Sequence, residues 1–211
     1  MPGGLGACLE AVKNEVNEAK DWLIDLDAAI GDGDLGLTMA RGFTAIADEY
    51  QQSPQADVGR ALVRAGMTFN RVAPSTMGTL MATALLRGGK ALAGKENPSN
   101  EDIVQALEAA IGGIGERGKS QVGDKTILDV LQPAVEALKR ELADGKDLPQ
   151  AWSTALTAAE KGFEQTANMV SKVGRASWFG EKSVGKHDAG AGLGLVLWRA
   201  IQKHFEAGRE S

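Results

Sequence analysis

The sequence predicts an all-α protein, because its apolar residues are spaced as on helices and small residues are abundant. Apolar side chains recur every three or four positions along most of the 211-residue chain, as on the buried face of a helix. The clearest stripe runs from Leu148 through Trp152 and Ala159 to Val170. No stretch of five or more residues alternates as a strand would, and the 27 glycines favour closely packed helices over a sandwich of strands.

Glycine, proline and polar clusters divide this pattern into eight predicted helices. Helix 77–93 is apolar on most faces, so we expect it to be the most buried. Short connections such as 144–149 are typical of antiparallel neighbours. The chain has no repeat or linker and is predicted to be one domain, 1–211. The eight helices are 4–25, 35–50, 56–71, 77–93, 99–117, 124–143, 147–170 and 189–207.

Charge and cysteine content exclude several classes of function. The net charge is −5 and no block of lysine or arginine occurs, so neither nucleic acid nor an anionic membrane is an expected partner. The lone cysteine, Cys8, allows no internal disulfide and fits a reducing compartment. The N-terminus does not resemble a signal peptide, and no apolar run approaches the roughly 20 residues that span a bilayer. We therefore expect a cytoplasmic protein.

Three connections differ from ordinary short turns, and chemistry is expected there. They are 26–36, which carries three aspartates, 72–78, which leads straight into helix 77–93, and 171–190. The last is about twenty residues long, and a loop of that length in a helical domain is usually a lid or a binding loop.

The aspartates of the first connection predict a magnesium site. Asp27, Asp32 and Asp34 fall within eight residues, and Gly31 and Gly33 leave the backbone free to turn their side chains inward. Three carboxylates this close repel one another unless a cation compensates them. Short carboxylate side chains with room for water and phosphate oxygens suit Mg²⁺ in nucleotide sites.

The sequence offers two other interpretations of this cluster. It could be a solvated acidic turn in which Asp32 or Asp34 caps helix 35–50. An EF-hand calcium loop is excluded, because counting from Asp32 puts Gly36 at the fifth position and Phe43 where the bidentate glutamate belongs.

The second connection can bind an anion at a helix N-terminus. Ser75, Thr76 and Thr79 offer hydroxyls beside the free N–H groups that begin helix 77–93. A simple Ser/Thr N-cap is the alternative. The chain contains no Walker-type G-x₄-G-K-[ST] motif.

The third connection carries one arginine, Arg175, which suits bidentate phosphate contact unless it is merely solvated. Residues 188–190 then open the last helix. Asp124 is predicted to be an N-cap only, unless the nearby Gly118 and Ile127 border a base pocket. No side chain is assigned a catalytic role, since neither histidine lies in a recognisable catalytic arrangement.

Four stretches carry a family resemblance: LDAAIGDGDLGLTMARGF (26–43), STMGTLMAT (75–83), RGKSQVGDKTILDVLQP (117–133) and GRASWFGEKSVGKHDAGAG (174–192). In this order and spacing they resemble the nucleotide-binding L subunit, or fused C-terminal domain, of dihydroxyacetone kinases. The resemblance covers nearly the whole chain. It implies an eight-helix antiparallel barrel that binds nucleotide at one end.

The resemblance also assigns residues by position. Asp27, Asp32 and Asp34 match the aspartates that hold two Mg²⁺ ions. The positions implied for ADP or ATP are Leu35, Gly36 and Thr38 after the three aspartates, Ser75, Thr76, Met77 and Gly78 in the phosphate turn, Gly118 and Ile127 around adenine, and Arg175, Asp188, Ala189 and Gly190 in the closing loop.

Two departures from the family pattern concern the phosphoryl donor. Phosphotransferase-linked members usually carry His where this chain has Leu35, and a serine where it has Met77. The GDGD motif followed by a residue other than His looks more like that of the ATP-dependent members. ATP and a phosphohistidine carrier protein both stay open as donors.

The function implied by the resemblance is phosphoryl transfer in glycerol metabolism, with the ketose bound on a separate K subunit. Another short ketose, such as a tetrulose, is an alternative substrate. Two alternatives come from other classes of function: a non-catalytic nucleotide sensor that docks on a regulator, and a helical bundle without a ligand.

Overall fold

The computed structural model describes residues 4–209. Within them it contains nine α-helices, one 3₁₀ segment and no strand, which confirms the all-α class. Residues 1–3 and 210–211 of the predicted domain lie outside the described residues. The helices are α1 (Gly4–Glu18), α2 (Lys20–Ile30), α3 (Leu35–Gln52), α4 (Val58–Val72), α5 (Thr76–Ala91), α6 (Asn100–Gly118), α7 (Leu128–Ala143), α8 (Leu148–Thr166) and α9 (Ala189–Ala207), and the 3₁₀ segment is Arg175–Ser183.

The contacts between helices follow a closed order. From α3 to α9 each helix packs on the next, α9 packs on α1, and α1 packs on α3. Helix α2 continues α1 beyond Ala19 and contacts α3, α9 and the 3₁₀ segment at one end of this ring. An apolar cavity of about 300 Å³ lies inside, lined by residues of every α-helix except α2. This ring contains eight of the described α-helices, α1 and α3 to α9, and the antiparallel barrel itself stays a prediction.

No helix in the described part of the chain combines the length and the apolarity needed to cross a membrane.

Short polar side chains explain where five of the helices begin. Each of these N-cap residues accepts a hydrogen bond from the backbone N–H three residues further on, which satisfies a donor that the helix leaves unpaired. The caps are Asp57 on α4, Ser75 on α5, Ser99 on α6, Asp147 on α8 and Asp188 on α9.

Three predicted helix boundaries were wrong. The first helix does not stop at residue 25: α2 runs to Ile30, because Ala28 and Ala29 favour a helix and Gly31 is the first residue to depart from it. Helix α7 begins at Leu128 rather than at 124, because the preceding residues form a tight turn with two positive φ angles. Helix α8 ends at Thr166 rather than at 170.

The most buried helix is α9 and not the predicted 77–93. Twelve of its nineteen residues are buried, against five of sixteen in α5. The reason is its position, because α9 packs against α1, α2, α7 and α8 and has little surface left for solvent.

Glycines allow two helix pairs to approach closely. A Cβ on Gly89 of α5 would lie 2.8 Å from the carbonyl oxygen of Gly59 in α4. A Cβ on Gly162 of α8 would lie 2.3 Å from the carbonyl oxygen of Asp129 in α7. Any larger residue would push these helices apart, as expected for a chain rich in small residues.

Replacing Gly162 by alanine should therefore destabilise the protein by about 1–3 kcal/mol, because the methyl group overlaps a backbone carbonyl that cannot move alone. Gly112→Ala in α6 is the matched control, since nothing lies within 4 Å of its added Cβ. That change should stabilise the protein by roughly 0.5–1 kcal/mol through helix propensity. Urea unfolding measures both, and equal effects of the two substitutions would contradict the close approach.

Candidate metal and nucleotide site

The three aspartates meet where α2 ends and α3 begins. Asp27 lies on the last turn of α2, not in a loop as predicted, while Asp32 and Asp34 lie in the connection that follows. One carboxylate oxygen from each residue lies within 4.8 Å of the others. The cluster is half-buried at Asp27 and exposed at the other two.

Asp27 holds the connection in place. Its Oδ2 accepts hydrogen bonds from the backbone N–H groups of Asp34, at 3.0 Å, and Leu35, at 3.3 Å. Asp34 occupies the N-cap position of α3, but its side chain makes no capping bond. The alternative in which Asp32 or Asp34 serves only to cap α3 is therefore wrong, because Asp27 binds the amides at that terminus instead.

Two glycines are required by this geometry. A Cβ on Gly31 would lie 2.2 Å from Oδ1 of Asp27, and Gly33 has a φ of +74°. Without side chains at these positions the backbone can fold tightly around the carboxylates. The donor set, three carboxylates with open sides, fits a hard divalent cation such as Mg²⁺.

The connection before α5 is the second part of the site. Oγ of Ser75 accepts the N–H of Gly78 at 3.0 Å. Thr76 and Met77 begin α5 and present two of the N–H groups that a helix leaves without intrahelical partners. The N-cap interpretation is therefore correct for Ser75, and it leaves the terminus open to an anion.

The third part is the segment between α8 and α9, residues 167–188, which we call the lid. Arg175 at the start of the 3₁₀ segment forms an ion pair with Asp32. Asp32 lies in the connection between α2 and α3, residues 31–34, which we call the metal loop. Nζ of Lys186 donates to the carbonyl oxygen of Ala29 at the end of α2, at 2.8 Å. Two cations of the lid thus bind the end of α2 and the loop that follows it.

These three parts surround one cavity of about 450 Å³. All three aspartates line it, as do ten of the thirteen positions predicted for nucleotide, namely Leu35, Ser75, Thr76, Met77, Gly118, Ile127, Arg175, Asp188, Ala189 and Gly190.

The other three predicted positions lie outside the lining. A Cβ on Gly36 would lie 2.2 Å from the carbonyl oxygen of Lys20, so this glycine serves the packing of α3 on α2. Gly78 packs on the carbonyl oxygen of Ala73, and its N–H is bound to Ser75. Thr38 lies one turn inside α3, with its N–H bonded to the carbonyl oxygen of Asp34.

Sequence reasoning missed much of the turn between α6 and α7. Ser120, Lys125 and Thr126 of this turn line the cavity. Leu80 of α5 and Ile114 of α6 line it as well. The motif Gly-Asp-Lys-Thr was interpreted only as a helix start. The only signal in the sequence was a lysine within a turn, and no local pattern shows whether such a lysine is buried or solvated.

Two aspartates shape this turn. Asp129 accepts the N–H groups of Gly123, at 2.5 Å, and Thr126, at 2.7 Å. Asp124 accepts the N–H of Gln121 at 2.9 Å, so its predicted role as N-cap of the following helix was wrong. The turn needs both carboxylates as acceptors, because these backbone N–H groups do not lie in a helix and so have no helical carbonyl partners.

Burial shifts two pKa values in the cavity. Burial raises the pKa of Asp188 to about 7, although hydrogen bonding to the N–H of Ala191 and the charge of Lys125 act in the opposite direction. Burial also lowers the pKa of Lys125, and the charge of Asp188 opposes this shift. The cavity therefore holds groups that are costly to leave charged without partners.

Comparison with known proteins identifies the family. The profile of the DAK2 domain matches residues 29–203. The ADP-binding subunit DhaL of PEP-dependent dihydroxyacetone kinase 1 from Listeria innocua is 37% identical over 186 residues, 88% of each chain. The L-erythrulose kinase of Pectobacterium atrosepticum is 34% identical over 92% of this chain, which spans 33% of that protein. The dihydroxyacetone kinase of C. freundii, solved with AMP-PNP and Mg²⁺, has a TM-score of 0.76 at 26% identity, over 96% of this chain and 34% of that one.

The family match covers most of the chain, and the relatives are kinases or kinase subunits that match it over most of its length. The resemblance seen in the four sequence stretches is thereby confirmed. The chain belongs to the DAK2 domain family and is a kinase subunit of the dihydroxyacetone kinase type.

Proposed function

We propose that this chain, as one domain, holds ADP or ATP on two Mg²⁺ ions and transfers the phosphoryl group to a short ketose bound by a separate K subunit in the cytosol. One observation carries the proposal: three clustered carboxylates, an open helix N-terminus and a lid arginine border one cavity of about 450 Å³. The Listeria relative is named as an ADP-binding subunit, and the C. freundii neighbour was solved with a nucleotide analogue and Mg²⁺.

Each part of the site has a separate task in this mechanism. Asp27, Asp32 and Asp34 hold Mg²⁺, which when bound neutralises charge on the nucleotide phosphates. The first amides of α5, on Thr76 and Met77, bind the phosphate oxygens at the positive end of the helix dipole. Arg175 closes the site from the lid. Catalysis is then mainly positioning and electrostatic stabilisation.

The proposal places the ketose, which accepts the phosphoryl group, on the K subunit and not on this chain. The L-erythrulose kinase relative is about three times as long, and this chain matches only a third of it. Dihydroxyacetone and a tetrulose such as erythrulose are therefore both candidate substrates, and the choice belongs to the K subunit.

The phosphoryl donor is a separate question. The Listeria relative is named as PEP-dependent, which supports a phosphocarrier subunit that recharges bound ADP. Leu35, which replaces the usual histidine of carrier-linked members after the GDGD motif, favours free exchange of ATP. We propose on this basis that ATP is the donor.

Asp32→Asn and Asp34→Asn should each abolish Mg²⁺-dependent ADP binding and leave helical content unchanged. Loss of a direct ligand should exceed the roughly 10- to 100-fold cost of removing an outer-shell partner of a metal. Asp27 is less suitable for this test because it also binds the amides of Asp34 and Leu35.

Calorimetric titration with Mg·ADP measures this effect, and circular dichroism checks the fold. Asp21→Asn is the control, since it removes an exposed carboxylate from α2, the helix that leads into the connection with Asp32 and Asp34. A variant of Asp32 or Asp34 that binds Mg·ADP with the wild-type affinity would refute the metal assignment.

The donor proposal predicts repeated turnover when the purified chain is mixed with a K subunit, a short ketose and ATP, without a phosphocarrier protein. The chain alone should form no ketose phosphate, because the proposal places the ketose on the K subunit. Product is measured by coupled assay over many equivalents of enzyme. A single burst that only a carrier protein and PEP can renew would show that ADP stays bound and is recharged.

Asp188→Asn should stabilise the ligand-free chain at high pH. Because burial raises the pKa of Asp188 to about 7 from 3.8, the folded chain keeps a proton that the unfolded chain releases. That contribution to stability is complete below about pH 4 and is lost as the pH rises to about 7. Asparagine carries no charge and caps α9 equally well.

The unfolding free energy of the variant, relative to wild type, should therefore rise between about pH 4 and pH 7 and stay level above it. Urea titrations at several pH values measure the difference. Curves that remain parallel across this range would contradict the burial of a carboxylate at this position.

A further inference from the structure

Lys125 has an unusual environment for a lysine. Its side chain is only 2% exposed. Its Nζ donates to two backbone carbonyl oxygens, that of Met169 at 3.1 Å and that of Ser183 at 2.5 Å. One of these carbonyls lies near the start of the lid and the other at the end of its 3₁₀ segment, so a single ammonium group joins the two.

The backbone is bent to bring this lysine inside. Lys125 has a φ of +63°, a left-handed conformation that is unfavourable for a residue with a Cβ. The carboxylate of Asp129 maintains it by binding the amides of Gly123 and Thr126 on either side. A strained residue persists where its surroundings fix it, and such sites are often functional.

Backbone contacts close the lid at the same place. The N–H of Ser171 donates to Oγ of Ser183 at 2.9 Å, and the N–H of Gly185 donates to the carbonyl oxygen of Ala167 at 2.7 Å. We call these pairs the lid base. The residues between them, 172–182, form a loop that carries Arg175.

The chemistry of the contacts requires a cation with several donors. A buried ammonium is costly unless it is hydrogen-bonded, and the two carbonyl oxygens are costly if left without a donor. Lys172 in the same lid offers a contrast, because its side chain is 57% exposed and pairs with Asp124 at 3.2 Å.

We propose that Lys125 is a positioning residue for the nucleotide site: its ammonium fixes the lid base, and so sets where Arg175 stands relative to the metal loop. The effect on nucleotide affinity rests on the proposed function, whereas the effect on the lid base does not. A purely structural lysine would change global stability alone.

Lys125→Met tests this, because methionine fills similar space and donates no hydrogen bond. We expect the amides of Ser171 and Gly185 to exchange hydrogen at least about tenfold faster, while amides in the core of α7 and α8 keep their protection. Affinity for Mg·ADP should fall about tenfold or more, since a hydrogen-bonded charge is lost. Lys125→Arg should recover part of both.

Lys139→Met in α7 is the control and should leave exchange and affinity within about twofold of wild type, since Lys139 is 62% exposed and pairs with the exposed Glu108, and exposed ion pairs contribute little. Should Lys125→Met fail to fold, Lys125→Gln, which can still donate to one carbonyl, is measured in the same way. Wild-type exchange at Ser171 and Gly185 in a folded Met or Gln variant overturns the proposal.

The two readouts separate the proposals. A wild-type chain that binds no Mg·ADP would contradict the proposed function. Hydrogen exchange at the lid base would then be the one measurement that tests whether Lys125 fixes the lid base. Faster exchange at the lid base with unchanged affinity would overturn the positioning role, because the lid base would then not control the site.

Discussion

The site depends on the mutual repulsion of three carboxylates that the fold holds within 4.8 Å. The chain partly compensates this repulsion without a metal. Asp27 accepts two amides at the N-terminus of α3, where the helix dipole favours negative charge, and Arg175 pairs with Asp32. The amide of Leu35 in α3 and the guanidinium of Arg175 in the lid both come from outside the metal loop. The acidic cluster therefore constrains two other elements, the start of α3 and the lid, and these must be correctly placed for it to exist.

The packing of small residues connects this cluster to the rest of the fold. Because Gly162 has no side chain, α8 lies directly against the carbonyl of Asp129 on α7. Asp129 in turn shapes the 123–126 turn, and that turn directs Lys125 to the lid base at the end of α8. A change in the spacing between two helices would thus be transmitted to the far side of the cavity.

The sequence predicts the parts of the site that follow from local chemistry. Helical periodicity, the cap at Ser75 and the aspartate cluster all depend on residues a few positions apart, and their physical signals are local. Lys125 could not be predicted in this way, because its partners lie 44 and 58 residues along the chain. The same holds for Gly36, whose missing side chain serves the packing of α3 on the carbonyl oxygen of Lys20 in α2 rather than the cavity. Family resemblance identified which segments converge, but not which amides already have partners.

The cations around the cavity differ in exposure, and the difference determines what each can do. The side chain of Arg175 is 62% exposed and its partner Asp32 is 40% exposed, so their ion pair is screened by water and contributes little to stability. Such a contact can be exchanged for a phosphate at small cost. Lys125 is buried on two carbonyls and cannot leave without exposing unsatisfied groups. The lid therefore combines a fixed base with an arginine whose ion pair can be exchanged at small cost, a combination that suits the proposed nucleotide site.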